Sequence, residues 1–271
     1  LSCFLEPLKL ALLNDVDFEG RDHFLQKLEA MYELYLYGSR PDRRMAQIGD
    51  AGNMSVVSLL RRAWDMFGRE DMLYVASEAD SGAPPVHRSY AFESGGFYVS
   101  RSAWADTNAL WSIMDWGGFV GHCHEDMGQI CLYAYGAPLL IDSGRHSYAW
   151  PMREYFYRTV GHNTVMVDEL PQKRRDPLSC RWITSEHFDL VRGLTDNSEP
   201  LLHERTLVFK QPAEDEPGYW VVVDRLTGPG KHRLDQRWHG HETLTGEVVG
   251  DSIVFTGKPD AGELPSLTLA A

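Results

Sequence analysis

The chain has 271 residues, of which 43% are hydrophobic and 11% aromatic, enough to bury one large core or two smaller ones. Its formal net charge of −13 argues against a nucleic-acid partner, because proteins that bind duplexes normally present a basic face. The sequence contains no apolar run near the roughly 20 residues that a membrane span needs.

The opening of the chain does not have the pattern of a signal peptide. It begins with Leu1 and contains neither a basic leader nor a cleavage site with small residues. We therefore expect the chain to be an inner part of a longer protein.

The first part of the chain has the periodicity of helices. Between residues 21 and 38, apolar side chains recur every three or four positions, which is typical of a helix with one buried face. A second such pattern spans 54–67 and a third covers 70–79. Gly82-Ala83-Pro84-Pro85 then interrupts the pattern, so we expect a domain boundary near residue 85.

After residue 85, short apolar or alternating runs replace the helical periodicity. Turn residues separate these runs, as in an antiparallel β-sandwich or barrel. The sequence therefore predicts an α+β protein whose helices precede its sheets. The predicted strands are 96–101, 109–115, 130–135, 138–142, 164–167, 188–192, 206–210, 219–224 and 253–256.

Polar side chains concentrate in the motif Gly121-His122-Cys123-His124-Glu125-Asp126. On an extended backbone, His122, His124 and Asp126 project to one face, because side chains alternate along a strand. The two histidine side chains are then about 6 to 7 Å apart. Two imidazoles and a carboxylate on one face form one side of a metal site or of an acid–base site.

Two later elements extend this pattern. Asp142 ends an apolar strand before Ser143-Gly144, so it is either a turn former or a metal carboxylate. His162 opens another predicted strand. Together, His124, Asp142 and His162 suit zinc, which accepts nitrogen and oxygen ligands and often keeps a water. We expect these ligands on neighbouring strands of one sheet.

Two other metal-binding classes share part of the motif. Metallo-β-lactamase-like hydrolases contain HxHxD but continue directly with another His, where this chain has Met127, and their folds alternate strands and helices. Cupins place HxH on a small barrel, but they continue with a Glu at fixed spacing and lack a Gly-His-Asn-Thr element. Both classes therefore fit the sequence poorly.

The motifs taken together resemble the heparinase II/III-like polysaccharide lyases. The resemblance implies that residues 1–85 are the end of an (α/α) toroid, truncated at its N-terminus, and that 86–271 form an antiparallel β-sandwich. The segment from HFLQKLEAMYELYLYG to MAQIGDAG resembles the toroid end. The segments that resemble the sandwich are GFYVSRS, GHCHED, LYAYGAPLLIDSG and YAWPMREYFYRTVGHNTVMVDE.

The resemblance also implies a reaction. The family cleaves uronic-acid polysaccharides such as heparin, heparan sulfate or alginate by β-elimination: the carboxylate is neutralised, the C5 proton is removed, and the C4 oxygen leaves with a proton. An Asn or His and a second Tyr come from the family's toroid, and residues 1–85 do not convincingly supply them. We therefore expect the chain alone to turn over little substrate.

Individual roles follow from the same resemblance. His122 and Tyr148 correspond to the catalytic pair of the sandwich. His124, Asp142 and His162 correspond to the ligands of a supporting Zn²⁺.

Basic residues are candidates for substrate binding. Negative charge can build on the uronate only if a positive or hydrogen-bonding group holds its carboxylate. Arg101, Arg153 and Arg158 are the candidates, since an Arg fork matches carboxylate or sulfate geometry. An ordinary surface ion pair explains each of them equally well. Tyr155 and Tyr157 are rivals of Tyr148 for the proton-transfer role.

A non-catalytic carbohydrate-binding sandwich with a structural metal is the alternative function. Both functions keep the zinc set, but a binding module has no need of His122 and Tyr148 beside it. The resemblance further implies an acidic polysaccharide as the partner and a periplasmic or secreted location, and it admits a homodimer.

Overall fold

The computed structural model describes residues 1–118, 121–122, 124–149, 152–257 and 265–270. Within these residues, four helices come first and antiparallel strands follow, with one short helix between the fifth and sixth strands, which confirms the predicted α+β fold class with a β-sandwich. No helix among the described residues is both long and apolar enough to cross a membrane. The helices are α1 (Ser2–Leu13), α2 (Arg21–Tyr37), α3 (Val57–Phe67), α4 (Glu70–Ala76) and α5 (Met152–Tyr157).

Helix α2 is the centre of the helical part. Its side chains Leu28, Tyr32 and Leu36 follow one another at intervals of four and are fully buried against α1, α3 and α4. The sequence predicted α2, α3 and α4 but not α1. Leucines 10, 12 and 13 of α1 are exposed, so no single apolar stripe marks this helix.

The remaining described residues form four antiparallel groups of strands. A five-stranded sheet has the order β1-β2-β3-β4-β5, a four-stranded sheet the order β10-β9-β8-β7, and a three-stranded sheet the order β12-β13-β14, while β6 pairs with β11. The strands are β1 (Tyr90–Phe92), β2 (Phe97–Arg101), β3 (Trp111–Asp115), β4 (Ile130–Ala134), β5 (Ala137–Leu140), β6 (Val165–Val167), β7 (Ser179–Thr184), β8 (Phe188–Ser198), β9 (Leu201–Lys210), β10 (Tyr219–Thr227), β11 (Leu234–Gln236), β12 (Leu244–Val249), β13 (Ser252–Gly257) and β14 (Leu267–Ala270).

The five-stranded sheet is buried on both faces. Every residue of β3 and β4 is buried, so neither strand has a solvent-exposed side. One face packs against Val191, Leu207 and Phe209 of the four-stranded sheet. The other face packs against Ala46 and Ile48, in the segment between α2 and α3. Residues 39–56 are thereby fixed on the sandwich, beside the strands that carry the polar motifs.

Arg205 of β9 ties the four-stranded sheet to the motif loops. Its fully buried guanidinium donates to both carboxylate oxygens of Asp224 at 2.6 and 2.8 Å, and to the carbonyls of Gly128 and Asn163 at 2.8 and 2.7 Å. Burial would raise the pKa of Asp224, but hydrogen bonds from Arg205 and His203 lower it below its usual range. The loops before β4 and β6 therefore depend on one charged side chain.

Replacing this side chain should destabilise the fold strongly. Arg205→Ala leaves a buried carboxylate with less compensation and two carbonyls without donors, and removal of one partner from a buried pair costs about 3–5 kcal/mol. Arg192→Ala is the matched control, since Arg192 pairs with Glu204 between β8 and β9 but is exposed, and exposed pairs contribute about 0–1 kcal/mol. Urea unfolding measures both free energies. Equal losses in the two variants would contradict the assigned role of Arg205.

Candidate active site and metal centre

His122 lies in a turn rather than in a strand. Its backbone is left-handed, with φ of +66°, and the following strand, β4, begins only at Ile130. The prediction of one face for His122, His124 and Asp126 is therefore wrong, because the turn interrupts the alternation of a strand. The His122 side chain is 77% exposed, whereas those of His124 and Asp126 are buried. Cys123 lies outside the described residues.

A compact buried group nevertheless forms. One ligand atom from each of His124, Asp126 and His162 lies within 4.8 Å of the others. The Nδ1 of His124, the Oδ2 of Asp126 and the Nε2 of His162 are buried, and within the described part of the chain they have no hydrogen-bond partner. Buried polar atoms normally have hydrogen-bond partners. Three such atoms without partners, all of types that ligate metals, therefore fit a site for a bound cation.

The other nitrogen of each histidine meets a carboxylate. His162 Nδ1 lies 2.8 Å from Asp142 Oδ2, and His124 Nε2 lies 3.1 Å from Asp50 Oδ1. A carboxylate can only accept, so these nitrogens carry hydrogens, and the opposite nitrogens, His124 Nδ1 and His162 Nε2, are the ones that a metal ion could bind in place of a proton. Such carboxylate–histidine pairs typically orient metal ligands.

The position of Asp142 differs from that of the compact group. Asp142 contacts His162, whereas Asp126 belongs to the group with His124 and His162. The ligand role of Asp142 thus stays a prediction, and Asp126 becomes a second carboxylate candidate.

Charge at this group also suits a cation. Burial raises the pKa of Asp126 to about 6, and burial together with the charge of Asp126 raises the pKa of Asp115 well above its usual range. Burial would lower the pKa of His162, but the facing carboxylate of Asp142 raises it to about 9. Carboxylates that burial makes hard to ionise are stabilised as anions by a nearby metal ion.

The placement of Asp142 and His162 on neighbouring strands of one sheet was predicted wrongly. Asp142 follows β5 of the five-stranded sheet, whereas His162 precedes β6, which pairs with β11. Asn163 brings the two segments together, because its Nδ2 donates to the carbonyls of Ile130 at 2.8 Å and Ile141 at 2.9 Å. A buried side-chain amide thus does what strand pairing was expected to do.

Asp50 joins the exposed and the buried parts of the site. Its Oδ2 accepts from His122 Nδ1 at 2.7 Å and from the Tyr148 hydroxyl at 3.0 Å. Its Oδ1 lies 2.8 Å from an Arg153 guanidinium nitrogen and 3.1 Å from His124 Nε2. Burial would raise the pKa of Asp50, but hydrogen bonds from His122, His124 and Tyr148 lower it well below its usual range.

Sequence reasoning did not single out Asp50. Its partners His122 and Tyr148 are 72 and 98 residues further along the chain. The one available signal was the segment MAQIGDAG, which contributed to the family resemblance without any role for its aspartate.

Of the three tyrosines, only Tyr148 has its hydroxyl on the carboxylate of Asp50. The hydroxyl of Tyr155 lies 3.4 Å from His239 Nε2, and the ring of Tyr157 packs at 5.4 Å from the His124 ring. The two rivals therefore occupy different surroundings.

Arg153 is the predicted substrate-binding arginine that the fold brings to this site. Besides its ion pair with Asp50, its guanidinium lies over the rings of Tyr148 and Tyr157, 5.2 Å from each centroid. Arg158 instead pairs with the buried Glu125 at 3.1 Å, at the edge of the group. It holds the loop that carries His124 and Asp126.

Arg101 is not part of this site. It is buried, donates to the Ser39 carbonyl, and stacks on Trp104 with 4.0 Å between the guanidinium carbon and the ring centroid. This burial contradicts its prediction as a substrate-binding residue, because a guanidinium enclosed between the two parts of the chain cannot contact a polymer.

A cavity of about 420 Å³ borders the buried group on one side. Its walls include the carboxylates of Asp115, Glu125 and Asp126, and its basic residues Lys173 and Arg175 are both paired with Glu199. The side that presents His122 and Tyr148 carries exposed arginine instead, since Arg145 lies over the Tyr148 ring at 4.9 Å.

These features define a class: an antiparallel β-sandwich with a buried histidine–carboxylate centre next to an exposed His–Tyr pair. The model of the family "Heparinase II/III-like, C-terminal" matches residues 84–264, and the chain belongs to this family. A heparin-sulfate lyase of Bacteroides stercoris is 26% identical over 245 residues, which is 87% of this chain and 36% of that protein.

Solved structures agree with this fold. The crystal structure of a heparan sulfate lyase HepC mutant from Pedobacter heparinus superposes with a TM-score of 0.81 at 21% identity, over 93% of this chain and 41% of that one. A crystal structure of Heparinase III gives 0.75 at 18% identity, over 94% and 44%. The chain thus spans less than half the length of these relatives.

Proposed function

We propose that this chain forms the sandwich side of the active cleft of a polysaccharide lyase, which cleaves a uronic-acid-containing acidic polysaccharide by β-elimination. The observation that carries the proposal is the sharing of one Asp50 oxygen by His122 and Tyr148. Two side chains able to move protons are thereby placed together, exposed to a polymer. Family membership supports the reaction class.

The hydrogen bonds suggest what each side chain offers. His122 donates through Nδ1, so its Nε2 keeps a lone pair that can accept a proton. Tyr148 carries a hydroxyl proton that it can donate to a leaving oxygen. Removal of the C5 proton and protonation of the C4 oxygen need these two capacities within one sugar unit.

Arginine at the rim supports binding of an anionic substrate. Arg145 is exposed, and Arg145 and Arg153 both lie over the Tyr148 ring. A uronate carboxylate or a sulfate bound there by a guanidinium fork would lie beside the pair that transfers protons. A polysaccharide substrate meets its enzyme outside the cytoplasm, so we also propose a periplasmic or secreted location.

We further propose a single Zn²⁺ held by His124 and His162 with carboxylate from Asp142, and with Asp126 as a second carboxylate candidate. The orphaned buried nitrogens of His124 and His162 support the two histidine ligands, and the orphaned oxygen of Asp126 supports the second carboxylate candidate. When bound, the ion supplies a fixed positive charge that joins three loops. His122 then lies two residues from an anchored ligand, so its loop is held in place.

Metal analysis tests this centre. The purified complete gene product should contain about one equivalent of zinc. His162→Ala should lower both zinc content and thermal stability, because site assembly and folding are coupled. Asp142→Asn and Asp126→Asn should each weaken zinc binding about 10- to 100-fold or more, the typical cost even of an orienting group.

Asp176→Asn is the matched control for these variants, since Asp176 lines the neighbouring cavity but is not a proposed ligand. Its zinc content should equal that of the wild type. The proposed centre would be rejected by unchanged zinc content in the His124→Ala, Asp142→Ala and His162→Ala single variants.

Turnover tests the proton-transfer pair. Tyr148→Phe and His122→Ala, in the complete gene product, should each lower elimination about 100- to 10,000-fold, the usual contribution of acid–base help. Zinc content and unfolding free energy should stay at wild-type values. The measurement is absorbance of the unsaturated uronate product with a panel of acidic glycans.

Nearby residues of the same types provide the controls. Tyr155→Phe removes a hydroxyl that does not contact Asp50, and His146→Ala removes an imidazole that stacks on Phe156. Both should keep most of the rate. Normal turnover of Tyr148→Phe would move the role to Tyr155, Tyr157 or another part of the protein. Glycan binding without product, in the wild type, would favour the carbohydrate-binding alternative.

A further inference from the structure

We propose that Asp50 is a positioning residue, which orients His122 and Tyr148 for proton transfer and links them to the ligand His124. The inference rests on the proposed function. It also assigns a role to the segment between α2 and α3, which otherwise only covers the sheet.

Asp50 lies in a tight turn that packs against the sandwich, and this turn positions its carboxylate. The Ala51 amide donates to the Ile48 carbonyl at 3.1 Å, and Ile48 packs against the buried five-stranded sheet. Gly49 has φ of +57°, and a Cβ there would lie 3.1 Å from the His122 carbonyl oxygen. The turn therefore lies so close to the His122 loop that a side chain at position 49 would crowd the His122 carbonyl.

The carboxylate of Asp50 is almost buried, whereas its partners His122 and Tyr148 are exposed to solvent. The Asp50 side chain is 9% exposed, whereas that of His122 is 77% exposed. Tyr148 is 58% exposed. Exposed side chains normally sample several rotamers, and each loses conformational entropy when it is held in one. Among the described residues, Asp50 provides the hydrogen bond that can restrict both of them to one arrangement.

This bond also selects a tautomer. A carboxylate accepts hydrogen bonds only, so His122 must carry its hydrogen on Nδ1 and present Nε2. Without the carboxylate, an exposed imidazole distributes its hydrogen over both nitrogens and rotates freely. The logic is that of a histidine base oriented by an aspartate in hydrolases, where the aspartate acts through the histidine.

A purely structural role is the competing explanation, because Asp50 also pairs with Arg153 at 2.8 Å. The two roles differ in how mutations combine. A residue that acts through His122 loses its effect once His122 is gone, whereas a residue that only stabilises the fold keeps it.

The test is a double-mutant cycle in the complete gene product, loaded with zinc. Asp50→Asn keeps the size of the side chain but removes its charge, and it should lower the elimination rate about 100-fold or more. In the His122→Ala background, measured at high enzyme concentration, the same change should cost less than about threefold. In the Tyr148→Phe background Asp50 still orients His122, so Asp50→Asn should there cost less than in the wild-type protein but more than in the His122→Ala background.

Asp42→Asn is the matched control, since Asp42 lies in the same segment and pairs with Arg40 through both carboxylate oxygens, at 3.1 and 2.7 Å. It should leave the rate unchanged. An equal cost of Asp50→Asn in the wild-type and His122→Ala backgrounds would overturn the positioning role. If Asp50→Asn is fully active while His122→Ala is not, only this inference fails. If His122→Ala is itself fully active, the proposed function fails.

Discussion

Burial of the five-stranded sheet on both of its faces is the constraint on which the rest of the molecule depends. A strand such as β3, which is buried on both sides, must be covered twice, and each covering element removes apolar area from water. The four-stranded sheet covers one face and makes the sandwich. Residues from the segment between α2 and α3 cover the other. The helical part is therefore held on the sandwich by the core itself, and Asp50 reaches His122 as a consequence.

Charge organises the site into two environments. On the buried side, Asp126 and Asp142 lie beside His162, and burial raises the pKa of Asp115 and Asp126. Such a group of histidines and carboxylates suits a cation better than an anionic polymer. On the exposed side, Arg145 and Arg153 lie over Tyr148, where an anionic polymer can approach. The ligand chemistry of the two sides is thus opposite in sign, although His124 and His122 are only two residues apart.

Periodicity was sufficient to predict much of the fold. The fully apolar strand β4 and the helix α2, which has one apolar face, were predicted to within a residue. For the long strands β8 and β9 only about half of each strand was predicted. The short or exposed strands β1, β7, β11, β12 and β14 were not predicted. Helix α1 was not predicted, because its exposed leucines obscure the apolar stripe of its buried face. The turn at His122 was not predicted, because a left-handed backbone at a non-glycine residue has no reliable sequence signal.

The site was predictable only where its residues are close in sequence or match a family motif. His124 and Asp126 meet because a short loop joins them, and Asp142 meets His162 through the amide of Asn163. Asp50 has no such neighbour, since its contacts depend on the packing of a distant segment. Arg101 was predicted to bind substrate because of its residue type. It instead lies buried between the helical part and the sandwich, where it contacts Ser39 and Trp104.

The turn at His122 is what allows one short motif to serve both environments. On a regular strand, His122 and His124 would share a face, and both would be buried or both exposed. The left-handed residue instead sends the first histidine to the surface while the second enters the interior. Asp50 then bridges the two, with one carboxylate oxygen on each imidazole. A strained backbone of this kind persists only if surrounding contacts hold it, and the Asp50 bridge, continuous with the sheet core, is such a contact.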